Sequence, residues 1–288
     1  MRIGYHTSIA GGVEQAIDRA LGLDCNTLQM FTRSPRRWSF NALDEEAVLR
    51  FKEKLAAVDM RPMFVHMPYL PNLASPRNTV YAKSVASLLA EVQRCERLAV
   101  PYLVTHLGSH LGTGKAAGLQ RIVDAFNETF SEADGSVTVL LENTAGTRNS
   151  MGSTFEDLES IIDGVSDSQK MGVCFDTAHA FAAGYDLRSL QSLNRVIEGI
   201  HNILGWNRVK LVHLNDAKGE LGSGVDRHEH IGLGKIGEAG FSNILHSPLR
   251  SLPLILETPV DERGDDRRNL LKVRELAKDM TVPGDDVW

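Results

Sequence analysis

Six apolar runs in this 288-residue chain each end in a side chain of the kind that binds zinc. They read MFVH (63–66), LVTH (103–106), VLLE (139–142), GVCFD (172–176), KLVH (210–213) and LILE (254–257), which puts His66, His106, Glu142, Asp176, His213 and Glu257 at run ends. Three more residues offer the same chemistry at short spacing. His179 follows Asp176 at i+3, one turn into the next helix, and Asp226-Arg-His228 forms an Asp-x-His pair on a long loop. A single histidine or acid at a strand end is ordinarily a satisfied polar residue. Six together are not explained by core packing, because burying charge is costly unless it is paired or bound to metal. The nine candidates, five histidines and four carboxylates, suit about three zincs with three or four protein contacts each and positions left open for water. Such a centre activates water, neutralises a charged transition state and stabilises an alkoxide leaving group. It needs no nucleophilic Ser or Cys and no redox cofactor.

Positioning these residues is the task of the elements that carry them. The six run ends are 40, 36, 34, 37 and 44 residues apart. That spacing is one strand, one helix and two loops, the crossover a parallel strand needs to return beside its neighbour. All six ends then point the same way. Two further strands precede them, RIGYH (2–6) and TLQMF (27–31), and amphipathic stretches lie between the strands. In 79–99, Val85, Leu88, Leu89, Val92, Cys95 and Leu98 recur at steps of three and four. Other helices are expected near 11–22, 43–58, 115–133, 154–165, 187–204, 237–247 and 266–278. Eight alternations predict an α/β (β/α)8 TIM barrel, one domain over 1–288, with the metal site at the C-terminal ends of the strands. The last residues, 281–288, read as a flexible tail. No glycine-rich phosphate loop follows the first strand as a dinucleotide fold requires. Two loops on the ligand face are too irregular for plain connectors: 32–42 (TRSPRRWSFNA) and 216–235, which holds five glycines.

Composition is that of an ordinary soluble domain, 42% hydrophobic and 24% charged. The formal net charge of −6 says little about an anionic partner, since three divalent ions would neutralise it; local patches decide instead. Cys25, Cys95 and Cys174 have no CxxC spacing, so reduced thiols and a cytoplasmic location are expected, with Cys174 in the core. No signal-peptide pattern and no membrane-length apolar window are present in the sequence.

The strings GYHTSIAGG, HLGSHLG, LLENTAG, GVCFDTAHAFAAGYDLR, HLNDAKGELGSGVDRHEHIGLGKIG and LILETP resemble those of the endonuclease IV family of apurinic/apyrimidinic (AP) endonucleases. The resemblance runs from the first strand to the last and fills all nine expected ligand positions. It implies that His66, His106 and Glu142 hold a first zinc, that Glu142 (bridging), Asp176, His213 and Glu257 hold a second, and that His179, Asp226 and His228 hold a third. Manganese is an alternative occupant. The implied reaction is hydrolysis of the phosphodiester 5′ to an abasic site in double-stranded DNA, leaving a 3′-hydroxyl and a 5′-deoxyribose phosphate, with trimming of blocked 3′ ends as a second activity. Glu257 and Glu142 are the expected catalytic residues, with Glu257 orienting or deprotonating the attacking water. The enzyme is expected to be a nucleoid-associated monomer with no obligate protein partner and no membrane contact.

Recognition falls to other residues. Arg33, Arg36, Arg37 and Trp38 cluster after the second strand, where a basic loop with an aromatic suits phosphate contacts and wedging. The resemblance implies that Tyr69 and Leu70 fill the gap left by an extruded nucleotide and that Arg36 inserts into the stack. His6, His110 and His230 are assigned either to supporting the ligands or to facing the substrate, and His230 competes with His228. Two other readings compete: a sugar isomerase or epimerase, whose related barrels also gather carboxylates and histidines, and a damaged-DNA binder that does not cut. Five histidines and the Asp226/His228 pair favour the hydrolase; the full ligand set disfavours the binder.

Overall fold

The chain is described here from a computed structural model that covers residues 1–39, 41–133 and 135–278. The tail expected at 281–288 lies outside the described residues. Eight strands are parallel and close on themselves: β1 (Ile3–Thr7), β2 (Leu28–Met30), β3 (Met63–His66), β4 (Tyr102–Thr105), β5 (Thr138–Glu142), β6 (Met171–Asp176), β7 (Val209–His213) and β10 (Leu254–Leu256). Each pairs with its sequence neighbour in the barrel, and β10 closes onto β1 with Gly4 opposite Ile255. A small antiparallel hairpin, β8 (Asp216–Ala217) with β9 (His228–Glu229), stands within the long loop after β7.

The helices are α1 (Gln15–Leu21), α2 (Glu45–Ala56), α3 (Asn78–Leu98), α4 (Lys115–Glu132), α5 (Phe155–Gly164), α6 (Thr177–Ala183), α7 (Leu190–Gly199), α8 (Gly237–Leu245) and α9 (Asp266–Leu276). Two differ from the sequence reading. α1 begins four residues later than the expected position 11, because Gly11 and Gly12 take φ of +88° and +134°, outside the helical range. The crossover after β6 carries two helices, and the stretch expected over 187–204 is α7 followed by a π turn at Ile200–Leu204.

Strand period explains why the ligands converge. Phe64, Val104, Leu140, Cys174, Leu211 and Ile255 form a buried cluster inside the barrel, and each stands two residues before a candidate ligand. Side chains at i and i+2 share a face of a strand, so His66, His106, Glu142, Asp176, His213 and Glu257 form the next layer towards the mouth. The apolar layer is therefore the floor of the site. A second apolar core lies between the barrel and its helices, with Leu28, Phe51, Leu88, Phe126, Leu158 and Phe241 fully buried. Cys25, Cys95 and Cys174 are all buried and free.

Leu140→Ala should open a cavity directly beneath Glu142 and cost about 2–5 kcal/mol, the range for a buried leucine. A urea midpoint that falls by that free energy divided by the slope of the transition, with the slope itself unchanged, checks it.

Candidate metal centre

Glu142, at the end of β5, has no exposed surface. Four imidazoles face it: His66 Nε2 at 3.0 Å and His106 Nε2 at 3.1 Å from Oε2, and His179 Nδ1 and His213 Nδ1 each 3.2 Å from Oε1. Burial pushes its carboxyl up, but His106 and His213 outweigh that and hold it well below the usual range. Glu257 behaves alike: His213 and His6 overcome burial and hold it well down. Burial alone would lower His106, His179 and His213; Glu142 and Glu257 around His106, Asp176, Asp226 and Glu142 around His179, and Cys174, Glu257 and Glu142 around His213 reverse this and raise all three. Such a cluster attracts positive charge from both sides.

The backbone fixes which nitrogen each histidine presents. His66 Nδ1–H donates to the Met67 carbonyl (2.7 Å), His179 Nδ1–H to the Asn143 carbonyl (2.9 Å) and His228 Nδ1–H to the Glu257 carbonyl (2.9 Å). The Nε2 lone pairs are thereby aimed inward, at Glu142, Asp226 and Asp176 respectively. His213 is turned the other way round: Nε2–H donates to Gln29 Oε1 (2.8 Å) and Nδ1 faces the carboxylates. Between such a nitrogen and a carboxylate oxygen 3.0 Å away either a proton or a metal cation has to stand, and a metal-bound histidine characteristically donates its other N–H to a carbonyl. His228 Nε2 is buried with no hydrogen-bond partner among the described residues. On these grounds the residues fit divalent metal.

Three groups place their ligand atoms within 4.8 Å of one another: His66, His106 and Glu142; Glu142, Asp176, His213 and Glu257; and Asp176, His179 and His228. Asp226, expected in the third group, sits beside it with Oδ1 3.0 Å from His179 Nε2, while Asp176 reaches both the second and the third.

Supporting residues absent from the sequence reading complete the site. Gln29, facing inward from β2, donates to Glu257 Oε1 at 2.7 Å as well as accepting from His213. Asn143 exchanges bonds with the Asp176 backbone, and Asn215 donates to Asp176 Oδ2 at 2.7 Å while accepting from the Glu257 amide. Their signal was adjacency: Asn143 and Asn215 follow Glu142 and His213 in LLEN and HLND.

His6, His110 and His230 part company. His6 Nδ1 lies 3.0 Å from Glu257 Oε1, at the ligands; burial lowers its imidazole more than Glu257 raises it. His110 Nδ1 accepts from the amides of Gly112 and Gly114 and shapes the loop after β4. His230 is buried against Asp261 Oδ1 (3.0 Å) and Asn269, tying the β8–β9 loop to the segment after β10.

A cavity of about 530 Å³ opens above the ligands, lined in part by His106, Asp226, Glu257 and Tyr69. Tyr69 is 60% exposed and packs edge-on against Phe31, and Leu70 is exposed beside it. Arg36 and Arg37 are exposed on the 32–42 loop, which the Tyr69 amide joins through the Pro35 carbonyl (3.2 Å). Arg33 does not share that surface. Its guanidinium is buried on Glu91 and Ser87 of α3 (both 2.5 Å), so it anchors the loop and does not face a ligand. The reason is electrostatic: Glu91 has no exposed surface, and a buried acid needs a buried cation.

Fold and site together define a (β/α)8 barrel with a cluster able to hold metal at its mouth, and comparison with known proteins places it more finely. A family model described as a xylose isomerase-like TIM barrel matches residues 17–279. A protein of Methanoculleus marisnigri named probable endonuclease 4 is 52% identical over 277 residues, 96% of this chain and 98% of its own. The crystal structure of endonuclease IV from Thermus thermophilus superposes with a TM-score of 0.85 at 35% identity, covering 96% of this chain and 98% of that one. A D-tagatose 3-epimerase-like protein (TM-score 0.70, 20% identity, covering 96% of each chain) shares the fold alone. The chain belongs to the endonuclease IV family of AP endonucleases.

Asp266, at the edge of the cavity, has its carboxyl pushed up to about 6 by burial and by Asp265. A folded value above the unfolded 3.8 means the native state binds the proton more tightly, so stability is lost as pH rises between those values. Asp266→Asn should flatten that window and stabilise the protein above pH 6 by about 1–2 kcal/mol, a shift smaller than the full linkage value after solvent screening. Denaturant midpoints measured from about pH 4 to 8 check it.

Proposed function

We propose that this protein is a zinc-dependent DNA-repair endonuclease that hydrolyses the phosphodiester 5′ to an abasic site in double-stranded DNA. The products would be a 3′-hydroxyl and a 5′-deoxyribose phosphate, as base excision repair requires. The observation that carries the reading is the cluster itself: four imidazoles locked by backbone or amide bonds with their free nitrogens aimed at four carboxylates. His66, His106 and Glu142 would hold one metal, Glu142, Asp176, His213 and Glu257 a second, and His179, Asp226 and His228 a third, with zinc as the occupant and manganese as an alternative. When bound, these ions supply Lewis-acid stabilisation of phosphoryl charge and acidify water.

The protein's own groups do the rest. Glu257 is the ligand-layer carboxylate best placed for proton handling: its side chain is 19% exposed and lines the cavity, while Gln29 and His6 fix Oε1. Held ionised, it can orient water and take a proton from it. Glu142, without solvent access, is confined to holding metal. Tyr69 lines the cavity with Leu70 next in sequence, and Arg36 and Arg37 are exposed on the loop that the Tyr69 amide joins, a set suited to gripping phosphates and to occupying the space of a nucleotide turned out of the stack. Extrusion costs least where a base is already missing. The enzyme is taken to work as a cytoplasmic monomer on DNA, with 3′-end trimming as a second activity. Among the described residues no helix is long and apolar enough to cross a membrane.

Incubation with a duplex carrying one abasic site, followed by end-group analysis, tests the reading: a nick 5′ to the lesion with a 3′-hydroxyl supports it. Binding without nicking, or sugar epimerisation without nicking, overturns it. Glu257→Gln should lower turnover at least about 10²-fold with affinity for the abasic duplex little changed; lost binding with normal single-turnover cleavage would contradict the role. Arg36→Ala and Tyr69→Ala should each weaken discrimination between abasic and intact duplex by roughly 1–3 kcal/mol, read by competition binding. Equal weakening on both duplexes would mean that they hold DNA without reading the lesion.

A further inference from the structure

The buried carboxylate of Asp216 has no exposed surface and is met by five backbone N–H groups. Oδ1 accepts from Ala217 (2.8 Å) and Ile236 (3.0 Å), and Oδ2 from Gly232 (3.0 Å), Gly234 (2.9 Å) and Gly237 (3.4 Å). These bonds gather residues 232–237 back onto the start of the loop. The glycines of IGLGKIG follow from this closure. A Cβ on Gly234 would come within 2.5 Å of both the Ala217 carbonyl and Asp216 Oδ1, and Gly232 stands at φ +84°.

The loop so closed carries two of the nine ligands. In the β8–β9 hairpin Asp216 lies opposite Glu229 and Ala217 opposite His228, with Asp226 two residues earlier. The other seven candidates stand on or directly after barrel strands, or on α6, outside this hairpin, and the loop meets them only at its edges, where His228 donates to the Glu257 carbonyl and Asp226 meets His179. Loss of the loop's geometry would therefore displace Asp226 and His228 first, while the barrel strands keep the rest in place.

We infer that Asp216 is the positioning residue for the third metal position, holding Asp226 and His228 towards His179 through the closed loop. This rests on the metal reading above. Asp216→Asn keeps the shape but puts an N–H₂ donor against the amides of Gly232, Gly234 and Gly237, or against Ala217 and Ile236. Wild type and variant are dialysed against the same weak chelator, then compared by elemental analysis and by amide hydrogen exchange.

The variant should retain about two metal equivalents where wild type retains about three, in keeping with the 10–100-fold affinity losses typical when support for a ligand is removed. Amides 232, 234, 236 and 237 should exchange at least about 10-fold faster while the barrel strands stay protected. Gly234→Ala, which crowds the same carboxylate, should reproduce both effects, and it decides the matter should Asp216→Asn unfold the whole chain. Full metal retention with wild-type protection, or metal lost evenly from all positions in a folded variant, overturns the proposal. Wild type holding fewer than three equivalents would count against the three-metal reading, while loop exchange would still decide the role of Asp216.

Discussion

A carboxylate without access to water has to be compensated where it stands, and the four imidazoles at 3.0–3.2 Å from Glu142 are where the compensating positive charge, proton or metal, is held. Those imidazoles come from β3, the end of β4, α6 and β7, so the barrel must be closed and in register for them to meet. A slip of one residue in any of these strands would turn its ligand out of the barrel and an outward-facing residue in. The apolar floor made by Phe64, Val104, Leu140, Cys174, Leu211 and Ile255 enforces the register, because the residue that fills the floor and the residue that binds stand on one face. Packing and chemistry are thus specified by the same alternation.

Around this rigid centre the loops divide the remaining work. Asn143, Asn215 and Gln29 hold ligands from directly beside them. The loop between β7 and α8 brings Asp226 and His228 from outside the barrel and is closed on Asp216. The loop after β2 is pinned from below by Arg33 on Glu91, which leaves Arg36 and Arg37 on the outer surface and Tyr69 hydrogen bonded to its Pro35. Arg33 points inward while Arg36 and Arg37 point outward in the same short segment.

That division also marks what could be read from the chain. The barrel was legible because acids and histidines recur at strand ends at crossover length, and the gathering of six of them into one layer was legible because so many at strand ends would be costly to bury without a cation among them. The 32–42 loop was read as uniformly basic; which arginine turns inward depends on Glu91, some 58 residues away on another helix, and no local pattern reports it. Asp216 passed as an ordinary loop residue, since five amide partners spread over 21 residues leave no short motif. The shared reach of Asp176 into two ligand groups is likewise a property of geometry, not of spacing.

The central claim is that the layer above the barrel floor is a trinuclear metal centre. The most direct measurement is an anomalous-difference map recorded across the zinc absorption edge from a crystal of the purified protein. Three peaks are predicted: one among His66, His106 and Glu142, one among Glu142, Asp176, His213 and Glu257, and one among His179, Asp226 and His228. A single peak, or none within the ligand layer of active protein, would contradict the account.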